Sequence, residues 1–205
     1  MFIRKNPFIH WSVNAPDVED KRKIWRENLP NFEKEKLIFL DESGVNTNMT
    51  RIYGRSVGST RSVDKAPLNT PTNTTILSSI RINGETAYTT YSGGTTGDKF
   101  VEYLKNVLIP TLHDGDIIVM DNMRSHHVKK VLETINNSGK HLTLLYLPPY
   151  SPDFNPIEMM WSKIKSVLRK IKIRDASILS DVINAAFSKI TLSDCIGWFS
   201  AVGLR

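Results

Sequence analysis

The sequence predicts a mixed α/β fold: one five-stranded sheet with helices on both faces. Three observations carry this. Leu37-Ile38-Phe39-Leu40 and Ile117-Ile118-Val119-Met120 are apolar runs bounded by charge, as in strands buried on both sides, and each ends in an aspartate, Asp41 or Asp121. Asn83-Gly84 separates two β-prone runs, a strong short-range hairpin signal. Beyond the hairpin, segments of helical period alternate with short apolar runs.

Taken in order, residues 1–35 carry mixed charge and read as an N-terminal arm, with a short helix over Asp17 to Glu27 ended near Pro30. Residues 36–205 form the main domain. Its first strand stops at Asp41. Val45 to Pro67 is a long polar loop rich in Arg and Lys, of a length that is usually functional or mobile. Thr74 to Ile82 and Glu85 to Tyr91 are the hairpin strands, with both turn residues at φ > 0. Phe100, Val101, Leu104, Val107 and Leu108 recur at helical spacing and stop at Pro110. Strand four ends at Asp121, and a helix over His127 to Asn137 is closed by Gly139. Leu142 to Leu147 is strand five. A rigid Pro148-Pro149-Tyr150-Ser151-Pro152 loop leads to a long helix from about Pro156 to Ile173, and a last helix spans Ser177 to Ile190.

Composition narrows the function classes. The chain of 205 residues has 40% hydrophobic and 23% charged residues, ordinary for a globular protein with a sizeable core. No apolar run approaches membrane-spanning length, which argues against a membrane role. The one cysteine, Cys195, excludes an internal disulfide and fits a reducing compartment. A net charge of +6 leans towards a polyanionic partner.

An ionised carboxylate at the end of a buried strand is costly unless something positive meets it. Two such strands in one sheet deliver Asp41 and Asp121 to one place. A third acid, Glu158, opens the long helix. At 100° per residue, Ile157, Met160, Trp161, Ile164, Val167, Leu168 and Ile171 share one face, which is core. Glu158, Ser162, Lys165, Arg169 and Lys172 share another. From Trp161 to Arg174 the cations are Lys163, Lys165, Arg169, Lys170, Lys172 and Arg174, with no acid, a track suited to a phosphate backbone. Both features have a plainer reading. Asn155-Pro156-Ile157-Glu158 is also a capping box, and a basic stripe is often just a solvated face.

Asp41-Glu42-Ser43-Gly44, Asp121-Asn122-Met123-Arg124-Ser125-His126 and the run from Leu147 to Glu158 resemble the three catalytic blocks of the mariner-superfamily DDE transposases, in the bacterial insertion-sequence branch. The resemblance extends from about Lys21 to Gly197-Trp198-Phe199, and the third block is long and specific. It implies an RNase H-like sheet and makes Asp41, Asp121 and Glu158 a metal-binding catalytic triad. The implied cofactor is a pair of Mg²⁺ ions, with Mn²⁺ as substitute. The implied partners are DNA, as transposon ends and target, and a second copy of the chain assembled on that DNA in the bacterial cytoplasm. Cleavage by water would free a 3′-hydroxyl, which then attacks target DNA, with no covalent protein–DNA intermediate.

Other residues are weighed beside the triad. Arg51, Arg55 and Arg61 in the polar loop, and Lys165, Arg169 and Lys172 on the helix, are candidate DNA contacts. His126 follows the second acid and is a candidate support near DNA. Adjacent His126 and His127 lack zinc-site spacing. Glu42 points to the opposite sheet face from Asp41 and reads as structural, as does Asp153 in a turn. Trp161 and Trp198 read as core. Helix-turn-helix modules that read transposon ends have no room before Asp41, so the chain reads as the catalytic part alone. Two alternatives stay open: a catalytically silent remnant that binds DNA or a full-length transposase, and an RNase H-like nuclease acting on RNA–DNA hybrids.

Overall fold

The computed structural model describes residues 16–51, 53–58, 60–63, 65, 73–121 and 129–205. Its centre is β1 (Leu37–Val45), β-rich and apolar at its start. Strands β2 (Thr74–Ile80) and β3 (Thr86–Ser92) pair antiparallel on one side, and β4 (Ile117–Met120) and β5 (Thr143–Tyr146) pair parallel on the other. The order is β3-β2-β1-β4-β5, the mixed five-stranded sheet expected.

Side-chain alternation along the strands divides the core into two layers. Leu37 and Phe39 of β1, Ile76 and Ile80 of β2 and Val119 of β4 face one layer, with α4 (Ile157–Ile171), α5 (Leu179–Phe187) and α6 (Leu192–Ala201). Ile38, Leu40, Leu77, Ile118 and Met120 face the other, with α2 (Gly97–Tyr103) and α3 (Lys129–Asn136). The N-terminal helix α1 (Pro16–Asn28) puts Trp25 into the α4 layer, and Leu29 follows it there. Of the segment expected to be an arm, the described part from Pro16 onward thus packs against the domain.

Several elements differ from expectation. The hairpin turn is longer than two residues: Gly84 N–H donates to Arg81 O at 3.1 Å and Arg81 N–H to Glu85 O at 3.0 Å. Only Gly84 has positive φ, at 92°, so this is a turn plus glycine bulge, and Asn83 stays in ordinary backbone space. The helix of α2 runs on through a π-turn, Leu104–Leu108, and a 3₁₀ turn, Ile109–Thr111, which admits Pro110 near its start. The predicted last helix is a 3₁₀ turn, Ala176–Ile178, followed by α5, and α6 is an additional helix. Its signal was in the sequence: Thr191 and Asp194 form a reciprocal capping box. Ile171, assigned to the buried face, is 48% exposed, because the helix ends there and Ile173 takes the core position.

One buried ion pair ties the far ends of the strands together. Arg81, just after β2, donates to both oxygens of Asp116, just before β4, with the Nη1–Oδ1 bond at 3.1 Å. His113 N–H adds a bond to Asp116 Oδ2 at 2.6 Å. Burial alone would raise the Asp116 pKa, but these donors reverse the effect and hold it below the usual range.

Candidate active site

Asp41 is not the end of its strand. β1 continues to Val45, paired only with β2, while its parallel pairing with β4 stops at Leu40–Met120. The next residues on these neighbouring strands are Asp41 and Asp121. Alternation puts both on the α4 side, in step with Phe39 and Val119. The notch where β4 gives out is therefore where the two carboxylates meet. Glu42 takes the other face, as predicted, and accepts a hydrogen bond from the Thr95 hydroxyl, itself bonded to Tyr91.

The loop from Leu147 to Pro156 crosses this notch and delivers Glu158. Asn155 accepts from Ile157 N–H at 3.3 Å through its side chain and from Glu158 N–H at 3.2 Å through its carbonyl. Only half of the expected capping box forms: the Asn155 side chain caps Ile157 N–H, but Asn155 N–H donates to Pro152 O at 3.1 Å instead of to Glu158. Glu158 thus stands at the helix entry with its carboxylate available to the cavity.

Asp41, Asp121 and Glu158 line one cavity of about 400 Å³, closed by Leu147 to Pro152 and Asn155. The structure brings the three predicted acids together. Burial first, then the nearby charges of Glu158 and Asp121, push Asp41 up to about 7, against opposing bonds from the Glu42 backbone and Trp161. Burial also raises Glu158; Lys165 works against this and Asp121 adds to it. Among the described residues no group of three His, Cys, Asp or Glu is arranged to hold one metal ion. The cavity is still chemically suited to hard divalent cations: all three acids offer oxygen, and their mutual repulsion is what a cation relieves.

Trp161 is core, as expected, but it also acts on the site. Its Nε1–H donates to Asp41 Oδ2 at 2.9 Å, fixing one oxygen of the carboxylate. Its ring meets Phe187 edge-on at 6.4 Å, and Phe187 stacks on Tyr88 at 3.7 Å. The sequence contained the helical face but nothing that aimed the indole N–H. Trp198 is half-buried against the same core.

The candidate DNA contacts separate. Arg51, Arg55 and Lys172 line a second cavity, of about 760 Å³, together with Lys65, Lys170 and Tyr53. Arg61 is exposed on the same loop and is not among the lining residues. Lys165 belongs electrostatically to Glu158, and Arg169 is half-buried one turn along α4. His126 and His127 lie outside the described residues. Asp153, predicted as a turn residue, sits in a 3₁₀ turn and pairs with Arg22 of α1.

Residues 36–180 match the model of the DDE superfamily endonucleases, and the chain belongs to that family. Its likenesses are to transposases of the mariner type. It is 28% identical over 102 residues to the transposable element Tcb2 transposase of Caenorhabditis briggsae, a match covering 47% of this chain and 37% of that protein. The fold superposes on the Mos1 transposase paired-end complex with left transposon end, with a TM-score of 0.80, at 15% identity, over 98% of this chain and 63% of that one. The catalytic domain of Mos1 mariner transposase gives a TM-score of 0.66 at 13% identity, over 98% and 92% of the two chains. The RNase H-like sheet is thus the shared architecture. The chain spans less than two thirds of the longer relatives' length. Among the described residues no helix is long and apolar enough to cross a membrane.

Proposed function

We propose that this chain is the catalytic domain of a transposase, which cleaves DNA phosphodiester bonds and transfers the ends to target DNA. The observation that carries this is the convergence of Asp41, Asp121 and Glu158, from two strands and a helix entry, on one cavity. We take residues 36–205 as the catalytic domain and 16–35 as a segment docked to it. Mos1 has been captured with Mn and with Mg, and divalent metal use is the reading the acids favour here. Asp41, Asp121 and Glu158 are the residues that would hold a pair of ions. Bound there, Mg²⁺ or Mn²⁺ would supply a nucleophile at neutral pH and charge relief for the leaving oxygen.

The chain's own residues do the rest. Trp161 holds Asp41 Oδ2, which fixes the orientation of a carboxylate that lines the cavity. Lys165 tempers the charge of Glu158. Leu147, Pro148 and Pro149 give the cavity an apolar wall. Arg51, Arg55, Arg61, Lys165, Arg169, Lys172 and His126 are our candidates for phosphate contact, the cations of the second cavity foremost. Assembly as a homodimer on transposon ends, in the cytoplasm of a bacterium and on its nucleoid, completes the reading. The support for it is the likeness to mariner-type transpososomes and the insertion-sequence resemblance of the motifs.

The test is incubation with supercoiled plasmid and Mn²⁺ or Mg²⁺. Unmutated protein should nick it, while Asp41→Asn, Asp121→Asn and Glu158→Gln should not, with circular dichroism unchanged. Binding without nicking by the unmutated protein would favour the silent remnant instead. Preference for RNA–DNA hybrids would favour the RNase H reading.

A further inference from the structure

The loop between β5 and α4 forms a wall of the acid cavity and sets the entry of Glu158. Its backbone is strained: Tyr150 has φ of 54°, a left-handed conformation that glycine adopts easily and tyrosine does not. Strain of this kind persists where the surroundings over-determine it. The residue supplying that determination comes from the other end of the chain. Arg22 of α1 is buried, and its guanidinium spans the whole loop. Nη1 donates to Tyr150 O at 3.2 Å, to Ser151 Oγ at 2.7 Å and to Asp153 Oδ1 at 3.0 Å. Nη2 donates to Asp153 Oδ2 at 2.6 Å. The same plane lies over the Phe154 ring, 4.4 Å from its centre.

From those anchors the loop transmits position by a run of local hydrogen bonds. Ser151 Oγ donates to Pro149 O at 3.1 Å. Phe154 N–H donates to Ser151 O, Asn155 N–H to Pro152 O, and Glu158 N–H to Asn155 O, at 3.1, 3.1 and 3.2 Å. Tyr150, Ser151, Asn155 and Glu158 line the cavity; Arg22 does not. We infer that Arg22 is a positioning residue for the active site: it clamps residues 150–154 from outside the cavity so that Glu158 meets the two aspartates. The inference rests on the proposed metal-dependent reading of the cavity. A lysine cannot substitute, because the clamp needs a planar fork for Asp153 together with stacking on Phe154.

Arg22→Lys and Asp153→Asn in the full chain test this with two readouts. Asp153 is half exposed on its side chain, so its variant leaves the core intact. Hydrogen exchange of the peptide spanning 150–158, measured without metal, should speed up at least about tenfold in both variants. Mn²⁺ affinity, from the paramagnetic resonance of free Mn²⁺, should fall about tenfold, as when a group supporting metal ligands is lost. The double variant should be no worse than the worse single one, since both break one clamp. Unchanged exchange in the folded variants overturns the inference. So does faster exchange with Mn²⁺ affinity unchanged. If the unmutated chain binds no Mn²⁺, the metal reading fails, and the exchange arm alone decides whether Arg22 holds the loop.

Discussion

Asp41→Asn should stabilise the metal-free chain while abolishing cleavage. Asp41 is held at about 7 in the fold against an ordinary 3.8. Each tenfold shift in proton affinity corresponds to about 1.4 kcal/mol, so keeping Asp41 ionised without a cation costs the fold on the order of 4 kcal/mol as a ceiling. The sign follows from proton counting. Below about pH 4 the folded and unfolded states both carry the proton, and there is no penalty. From there to about pH 7 the folded state holds the proton that the unfolded state has lost, so stability falls as pH rises. Above that both are ionised and the penalty is complete. Asparagine removes the charge and can still accept the Trp161 N–H. Urea denaturation in EDTA, followed by tryptophan fluorescence, should show variant and unmutated protein alike near pH 4, and the variant more stable by about 2–4 kcal/mol at pH 8. Excess Mg²⁺ at pH 8 should then stabilise only the unmutated protein, by about 2.7 kcal/mol at a hundred times the dissociation constant. A variant that gains nothing between pH 4 and pH 8 would refute the claim that uncompensated carboxylate burial dominates this cavity.

Trp161→Phe removes one donor and keeps a ring against Phe187; leaving Asp41 Oδ2 without that bond should cost about 1–3 kcal/mol, more at pH 8 than at pH 4, by the same urea assay. Arg81→Met strands the buried Asp116 and should cost about 3–5 kcal/mol, whereas adding Asp116→Asn to it should recover part of the loss in a double-mutant cycle. Lys172→Gly relieves a left-handed C-cap at φ of 57° and should gain about 1 kcal/mol in thermal denaturation. The same variant should weaken DNA binding and lower its salt slope by about one, measured by fluorescence anisotropy across a salt series.

Much of the fold was legible because it rests on patterns of short range. Period-two alternation separated Asp41 from Glu42 correctly, and apolar runs located β1 and β4. Asp41 and Asp121 were legible as charges closing apolar runs, and Glu158 through the resemblance of the motif from Leu147 to Glu158. The errors arose where tertiary pairing overrode local signal. β1 was cut short at Asp41, because a charge looks like a strand end when the continuing partner strand, β2, is distant in sequence. Asn83-Gly84 suggested a two-residue turn, but the Arg81–Glu85 pairing widened it by a bulge. Asn155 and Glu158 matched a capping pattern, but the preceding 3₁₀ turn had already taken the Asn155 N–H.

The residues that shape the acid cavity without supplying its charge were not legible, for a reason that extends beyond this chain. Arg22 and Trp161 look unremarkable in their own helices: one a basic residue in a charged segment, the other an aromatic on an apolar stripe. Their roles depend on contacts across 128 or more positions for Arg22 and 120 for Trp161. No local window contains such contacts. A carboxylate that closes a buried strand announces itself because its charge conflicts with an apolar neighbourhood. The group that orients it does not, because an indole N–H or a guanidinium fork is compatible with its own helix in either role. The two aspartates can therefore be read from the sequence as violations of local pattern and Glu158 from the motif it closes, while their supports emerge only when each buried donor is traced to its acceptor.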